Sequence, residues 1–211
     1  LLGDYGANIG RVLLTTYGND VSNRAKAKAA AGSDARMNGC ELPVVINSGS
    51  GNQGLTITMP VLLYAEENQV DHDSLLRALA IANLMSIHQK RFIGSLSAYC
   101  GATSAACAAA VGICWLQGGS YEQICGVITN TLATLGGMWC DGAKSSCASK
   151  IAAAVYTGLL SVRMSMNGHR FEQGEGIVTA SVEKTIQDVG HIAREGMREA
   201  DLEILRLMLK N

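Results

Sequence analysis

The chain has 211 residues, of which 48% are hydrophobic and 17% are charged, and its formal net charge at pH 7 is −1. That length is enough for a well-buried core, and the lack of a basic excess removes the electrostatic case for binding nucleic acid. The sequence contains 24 glycines but only two prolines. Abundant small residues and scarce proline favour closely packed helices over a loop-rich fold.

Helical segments are therefore predicted along most of the chain. Residues 1–17 form a mixed segment that ends in a turn at 17–20, and residues 21–37 have high helix propensity with a basic, exposed face. Asn38-Gly39 stops this helix. Further helices are predicted at 55–67 with a kink at Pro60, from Asp71 or Asp73 to about residue 91, at 149–166, at 181–192 and at 194–210.

A polar, glycine-spaced loop at residues 47–54 stands between two apolar runs. Its glycines permit positive φ angles and close approach of a ligand to the main chain. Such a loop can present several N–H groups to a carboxylate or phosphate if a helix starts just after it. An ordinary hairpin turn explains the same residues equally well. The candidate ligand-binding residues are Asn47, Ser48, Gly49, Ser50, Gly51 and Asn52.

The region from Phe92 to Cys140 carries a single charged residue, Glu122. Gly118-Gly119 divides it into two halves of about helix length, which predicts an apolar helical hairpin. Each half approaches the length of a membrane span, but its polar residues and the lack of aromatic belts argue against a membrane hairpin. We therefore expect an all-α domain built around a buried hairpin rich in alanine, glycine and cysteine.

Seven cysteines are an odd number, which argues against a fully paired disulfide framework and favours metal or redox chemistry. Cys107 and Cys114 are interpreted as small core residues. If the hairpin turns at Gly118-Gly119, Cys100 and Cys140 fall at the same end of it, within reach of Cys147. Converging thiolates suit zinc or an iron–sulfur cluster, although no Cys-x-x-Cys pair is present.

Two long segments resemble the signature segments of the L-cysteine desulfidase family, which is related to the α component of iron–sulfur-dependent L-serine dehydratases. The first is Asp34-Ala-Arg-Met-Asn-Gly-Cys, followed by Leu42-Pro-Val-Val-Ile-Asn-Ser-Gly-Ser-Gly-Asn-Gln-Gly. The second is Met138-Trp-Cys-Asp-Gly-Ala-Lys-Ser-Ser-Cys-Ala-Ser-Lys. The similarity extends over nearly the whole chain.

The resemblance implies a cytoplasmic enzyme of amino-acid catabolism with an oxygen-labile 4Fe-4S cluster. Its substrate would be a small L-amino acid, either L-cysteine, which yields pyruvate, ammonia and sulfide, or L-serine. Cys100 and Cys140 match the family's cluster ligands. The third ligand of the desulfidases lies in an N-terminal segment that this chain lacks, whereas in the serine dehydratases a cysteine shortly after the second ligand completes the set. Cys147 is that candidate here.

The same resemblance implies a single domain over residues 1–211, taken from the C-terminal part of a longer protein. Its partners would be the substrate and the missing N-terminal part; neither nucleic acid nor a membrane is expected, and a homodimer is compatible with it. In this scheme the 47–54 loop binds the substrate carboxylate. The alternative is a non-catalytic fragment that binds a small molecule or a metal.

A general base must remove the α-proton of the substrate. Lys144 is one candidate, because it lies near Cys140 at a predicted helix start. His88 is the other, although it falls near a helix end, where a cation also stabilises the helix dipole. The sequence does not separate the two.

Overall fold

The computed structural model describes residues 4–94 and 97–210, and within those ranges the chain is all-α, as predicted. Its only β features there are two isolated bridges, Asn47–Ser50 and Tyr99–Trp139. The helices are α1 (Ile9–Tyr17), α2 (Val21–Met37), α3 (Gly51–Glu67), α4 (His72–Ile93), α5 (Gly101–Leu116), α6 (Tyr121–Leu135), α7 (Cys147–Met166), α8 (Val182–His191) and α9 (Arg198–Met208), with a π-helical turn at Ile192–Gly196 before α9.

The predicted apolar hairpin is confirmed as α5 and α6, which turn at Gly118-Gly119 and occupy the centre of the fold. Nearly all of α5 is buried. Small residues explain how its neighbours reach it: a Cβ at Gly112 would lie 3.1 Å from the carbonyl oxygen of Ala78 in α4. Likewise, a Cβ at Gly158 of α7 would lie 2.9 Å from the carbonyl oxygen of Ala106. Glycine thus allows three helix backbones to approach closely.

Several predicted boundaries were wrong by a few residues. Phe92 belongs to α4 rather than to the hairpin, α6 ends at Leu135, and α7 begins at Cys147. The mixed N-terminal segment contains a helix, α1. Residues 136–146 are not part of a regular helix, because they pair with the chain that precedes α5. Trp139 forms a bridge with Tyr99, and the backbone N–H of Cys140 donates to the carbonyl oxygen of Ala98. Pairing across the fold is invisible to local propensity.

The basic face of α2 was also predicted wrongly as exposed. Arg24, Lys26, Lys28 and Arg36 are all half-buried. The alanines that raise helix propensity are buried and small enough for α3 and α7 to pack against α2. The amine of Lys26 consequently lies 5.3 Å from the ring centre of Tyr156 in α7. α2 is therefore a central helix rather than a peripheral one.

No helix in the described ranges combines the length and the apolarity that crossing a membrane requires.

Candidate active site

A cavity of about 330 Å³ lies where three helices begin. It contains Ser50 at the start of α3, Gly101 at the start of α5 and Cys147 at the start of α7. Free N–H groups and the helix dipole make each of these ends partly positive. Three converging N-termini therefore provide a site for an anion.

The polar loop forms one wall of this cavity as a tight turn that leads directly into a helix. Asn47 and Ser50 exchange two backbone hydrogen bonds of 3.2 and 3.0 Å. Ser48 and Gly49 between them have φ angles of 49° and 81°, the positive values that a two-residue hairpin turn requires. The Ser50 hydroxyl then accepts a 3.4 Å hydrogen bond from the backbone N–H of Gln53. The loop is both a hairpin turn and a helix N-terminus.

The six loop residues singled out from the sequence divide into two groups. Ser48, Gly49, Ser50 and Asn52 line the cavity, together with Gln53 and Thr56 of α3. Asn47 is buried instead, where its amide donates a 2.9 Å hydrogen bond to the side-chain oxygen of Asn83 in α4. Gly51 is buried at a close contact, since a Cβ there would lie 2.6 Å from Nε of Arg36.

Gly54 permits the chain that precedes the turn to cross α3. An added Cβ would lie 1.8 Å from the carbonyl oxygen of Val45, a backbone atom that cannot move aside alone. Gly54→Ala is therefore expected to lower the free energy of unfolding by about 3 kcal/mol. Chemical denaturation followed by circular dichroism measures this.

Gly137→Ala is the matched control for that substitution, because nothing lies within 4 Å of an added Cβ at Gly137. It should leave the stability unchanged or raise it slightly. Equal stability of the two variants would contradict the tight crossing at Gly54.

Cys100 and Cys140 are brought together by a short antiparallel pairing at the end of the hairpin. The backbone N–H of Cys100 donates to the carbonyl oxygen of Met138 at 3.0 Å. The N–H of Cys140 donates to the carbonyl oxygen of Ala98 at 2.6 Å. The two thiols interact with each other and both residues line the cavity.

This interaction makes the two thiols unequal. It raises the pKa of Cys100 strongly, and burial adds to the effect. The same interaction lowers the pKa of Cys140 to about 6. Cys140 is therefore the more acidic of the two thiols and the one that more readily becomes a thiolate. A thiolate is the form of cysteine that binds iron or zinc.

Cys147 lines the same cavity from the start of α7. Its thiol donates a weak hydrogen bond to the carbonyl oxygen of Gly142 at 3.6 Å. Within residues 4–94 and 97–210, no three His, Cys, Asp or Glu side chains lie close enough to share one metal ion. A cluster, however, offers each cysteine a separate iron, so its ligands need not converge on one point. Three cysteines around a cationic cavity fit such a group.

Three basic side chains line the cavity: Arg36, Lys90 and Lys150. None of its described lining residues is acidic. Lys150 is held 2.5 Å from a carboxylate oxygen of Asp141. Burial acts to lower the pKa of Lys150, but the hydrogen bond and charge of Asp141 raise it overall. Lys90 differs, because burial lowers its pKa and the neighbouring thiols only partly oppose that shift.

Lys144 and His88, the predicted bases, lie outside the lining of the cavity. Lys144 is exposed in the loop before α7, although Ala143 beside it lines the cavity. His88 points towards α8, where its Nε2 lies 2.8 Å from a carboxylate oxygen of Glu183. Its ring also meets Phe92 edge-on. Neither group is brought to the thiol pair.

A larger cavity of about 510 Å³ lies between the start of α6 and residues 170–182. It contains Cys125 and the exposed Tyr121, and none of the motif residues lines it. Volume is a weak guide compared with the grouping of reactive side chains. The smaller cavity is therefore the candidate active site.

Comparison with known proteins places the chain in a family. The sequence model of the serine dehydratase alpha chain matches residues 3–206. The chain belongs to this family. No solved structure matches it.

Curated relatives include bacterial proteins named UPF0597. One from Desulfitobacterium hafniense is 55% identical over 207 residues, which cover 98% of this chain and 48% of that protein. One from Treponema denticola is 49% identical over 212 residues, covering 98% of this chain and 49% of that protein. One from Bacteroides fragilis is 43% identical over 211 residues, with coverage of 98% and 49%. The chain thus spans about half the length of the curated relatives it matches.

Two residues of the first signature segment form hydrogen bonds that connect separate parts of the fold. Asp34 is buried, and its carboxylate accepts a 2.8 Å hydrogen bond from the backbone N–H of Ile9 at the start of α1. Asn38 accepts a 3.0 Å hydrogen bond from the hydroxyl of Ser145, in the loop before α7. The segment therefore joins α1 and the 141–146 loop to the end of α2.

Sequence reasoning missed Arg36 and Lys90 as site residues. Arg36 lies inside the signature segment and close in sequence to the polar loop, and its Nη1 donates a 3.3 Å hydrogen bond to the side-chain oxygen of Asn52. Lys90 lies two residues after His88 and so points in another direction from α4. Helical phase could have distinguished Lys90 from His88, but only with knowledge of which face meets α5.

Proposed function

We propose that this chain is the catalytic part of an iron–sulfur-dependent lyase that carries out α,β-elimination on a small L-amino acid. L-cysteine, giving pyruvate, ammonia and sulfide, is the favoured substrate, because the two signature segments resemble those of L-cysteine desulfidases. L-serine is the alternative, which the family description favours. One observation carries the proposal: Cys100 and Cys140 lie together, with Cys147, in a cavity lined by basic side chains where three helices begin.

In this proposal Cys100, Cys140 and Cys147 hold a 4Fe-4S cluster. Such a cluster, with one iron open to the substrate, supplies a Lewis acid that assists departure of the hydroxyl or thiol. The surrounding chain contributes the Cys140 thiol as a ligand and positive charge from Lys150, and this positive charge favours an anionic group. The helix N-terminus at Gly101 adds to that field.

The substrate carboxylate is proposed to bind at the start of α3. The free N–H groups of the first turn, the hydroxyl of Ser50 and the guanidinium of Arg36 are the donors there, whereas the hydroxyl of Ser48 already donates to the side-chain oxygen of Asn47. Asn52 holds the guanidinium in place. Several donors on a rigid turn orient the substrate so that its α-proton and its leaving group have fixed directions.

Replacing Arg36 by alanine in the full-length protein should raise the KM about 10- to 100-fold, because a hydrogen bond to a charged group contributes about 1.5–3 kcal/mol. The kcat should change less, since the carboxylate does not react. The KM of Arg36→Lys, which keeps the charge but loses the planar guanidinium, should lie between those of the wild type and Arg36→Ala. Steady-state pyruvate formation measures all three, and an unchanged KM in Arg36→Ala would place the carboxylate elsewhere.

Lys90 is proposed as the general base that removes the α-proton, because it lines the same cavity as the thiol pair. Burial favours its neutral form, which can accept a proton. Lys144 and His88 are the other candidates, and both would require a movement to reach the cavity. Elimination would leave an aminoacrylate that hydrolyses to pyruvate and ammonia.

The whole protein is proposed to act in the cytoplasm and to include, like its curated relatives, a second part of similar size. Anaerobic reconstitution of the full-length protein with iron and sulfide tests the function. Visible absorption of a cluster, together with turnover of one of the two amino acids, supports it. Release of pyruvate, ammonia and sulfide from L-cysteine, or of pyruvate and ammonia from L-serine, identifies the substrate. Failure to take up iron, with no turnover of either amino acid, would leave the non-catalytic binding module as the function.

A further inference from the structure

An apolar surface on α4 and on the segment before the turn is exposed to solvent. Ile46 and Leu84 are each 65% exposed, and Val45 is 75% exposed. Soluble monomers rarely expose contiguous apolar patches of this kind unless another molecule or domain covers them. We call this surface the α4 patch; it consists of Val45, Ile46, Leu76, Leu84 and Ile87.

The two halves of the α4 patch are adjacent. Leu76, Leu84 and Ile87 recur at intervals that place them on one face of α4. Asn83 lies on that same face and its side-chain oxygen accepts a hydrogen bond from the amide of Asn47. This bond holds the segment that ends in Val45-Ile46 beside Leu84. The patch is therefore one surface, formed by a helix and an extended segment.

The α4 patch borders the candidate active site. Ile46 comes two residues before Ser48, which lines the cavity. Val45 is fixed by its close crossing over Gly54 in α3. A partner bound to the patch would therefore contact the segment that leads into the cavity wall, without having to enter the cavity.

We propose that the α4 patch binds the half of the protein that the curated relatives possess and this chain does not match. The chain covers 48% of the Desulfitobacterium hafniense relative and 49% of the Treponema denticola relative. A second part of about equal size packs against this one through an interface, and an exposed apolar patch marks such an interaction site. The inference rests on the proposed longer protein but not on its lyase activity.

The test uses the full-length protein with a protease site inserted between this chain and the second part. If a separate gene encodes the second part, the two chains are produced together and need no cleavage. Wild-type parts should co-elute in size-exclusion chromatography after cleavage. The double substitution Leu84→Glu with Ile87→Glu should raise the concentration needed for co-elution by at least about 30-fold, as removal of a central interface contact does.

Leu160→Glu on α7 is the matched control, because Leu160 is an exposed leucine at 42% and lies outside the patch. It should co-elute like the wild type. Circular dichroism should show all three proteins folded, since the substituted side chains are exposed. Co-elution of the double variant at wild-type concentrations would overturn the proposal, and so would wild-type parts that never associate.

A third outcome also overturns the proposal. If the wild-type protein is a dimer and the double variant is a monomer whose two parts still associate, the α4 patch is an interface between two copies of the protein. Iron uptake and lyase activity are measured on the uncut wild-type protein. If that protein is inactive while its cut parts still associate through the α4 patch, the proposed function fails and the interface remains.

Discussion

Replacement of Cys100 or Cys140 by serine in the full-length protein is expected to abolish iron uptake and to lower lyase activity by more than about 100-fold. Changes to groups that merely support metal ligands cost about 10- to 100-fold, and these thiols are proposed as the ligands themselves. A serine hydroxyl stays protonated at neutral pH, whereas a cysteine thiol is far more acidic and Cys100 lowers the pKa of the Cys140 thiol further. Iron content, the visible absorption spectrum and pyruvate release measure the effect.

Cys125→Ser is the control for these substitutions, because Cys125 is half-buried and lines the other cavity. It should bind iron and turn over substrate like the wild type. Cys147→Ser answers a separate question: loss of iron makes Cys147 the third ligand, and retention assigns that ligand to the second part of the protein. Wild-type iron content in Cys100→Ser and Cys140→Ser would refute the cluster site.

Replacement of Lys90 by glutamine is expected to lower kcat by about 100- to 10,000-fold, the usual contribution of a positioned general base. Iron content should stay unchanged, because Lys90 is not a ligand. The KM should change far less than kcat, since proton removal takes place after binding. Steady-state kinetics under anaerobic conditions, with iron measured on the same samples, separates these effects.

Lys184→Gln is the matched control for the Lys90 substitution, because Lys184 is an exposed lysine paired with Asp188 on α8. It should behave like the wild type. Lys144→Gln and His88→Gln complete the set. If Lys90→Gln keeps its kcat while one of those two loses it, the role of base passes to that residue.

The hairpin shows how much a simple sequence argument can achieve. Gly118-Gly119 interrupts an almost uncharged region, and both halves have helical length, so the turn and the burial of α5 followed directly. The position of the turn then placed Cys100 and Cys140 at the same end. The structure adds the contact itself, since the two residues meet through backbone pairing of non-helical segments.

The charged residues of the site were harder to predict. A lysine on an alanine-rich helix is usually solvated, and only the packing of α3 and α7 against α2 makes its basic face half-buried. Lys90 and His88 are two residues apart on one helix, so they point in different directions. Which of them meets the cysteine pair depends on the neighbours of α4. No local pattern contains that information.

The polar loop was ambiguous between a hairpin turn and an anion site because its residues suit both. Glycine and serine at positive φ angles form the turn, while Ser50 starts a helix immediately after it. The sequence by itself determined the all-α class, the buried hairpin and the family, since these depend on composition, periodicity and long motifs. Only the tertiary structure decided which side chains share the cavity, because that depends on how the ends of α3, α5 and α7 converge.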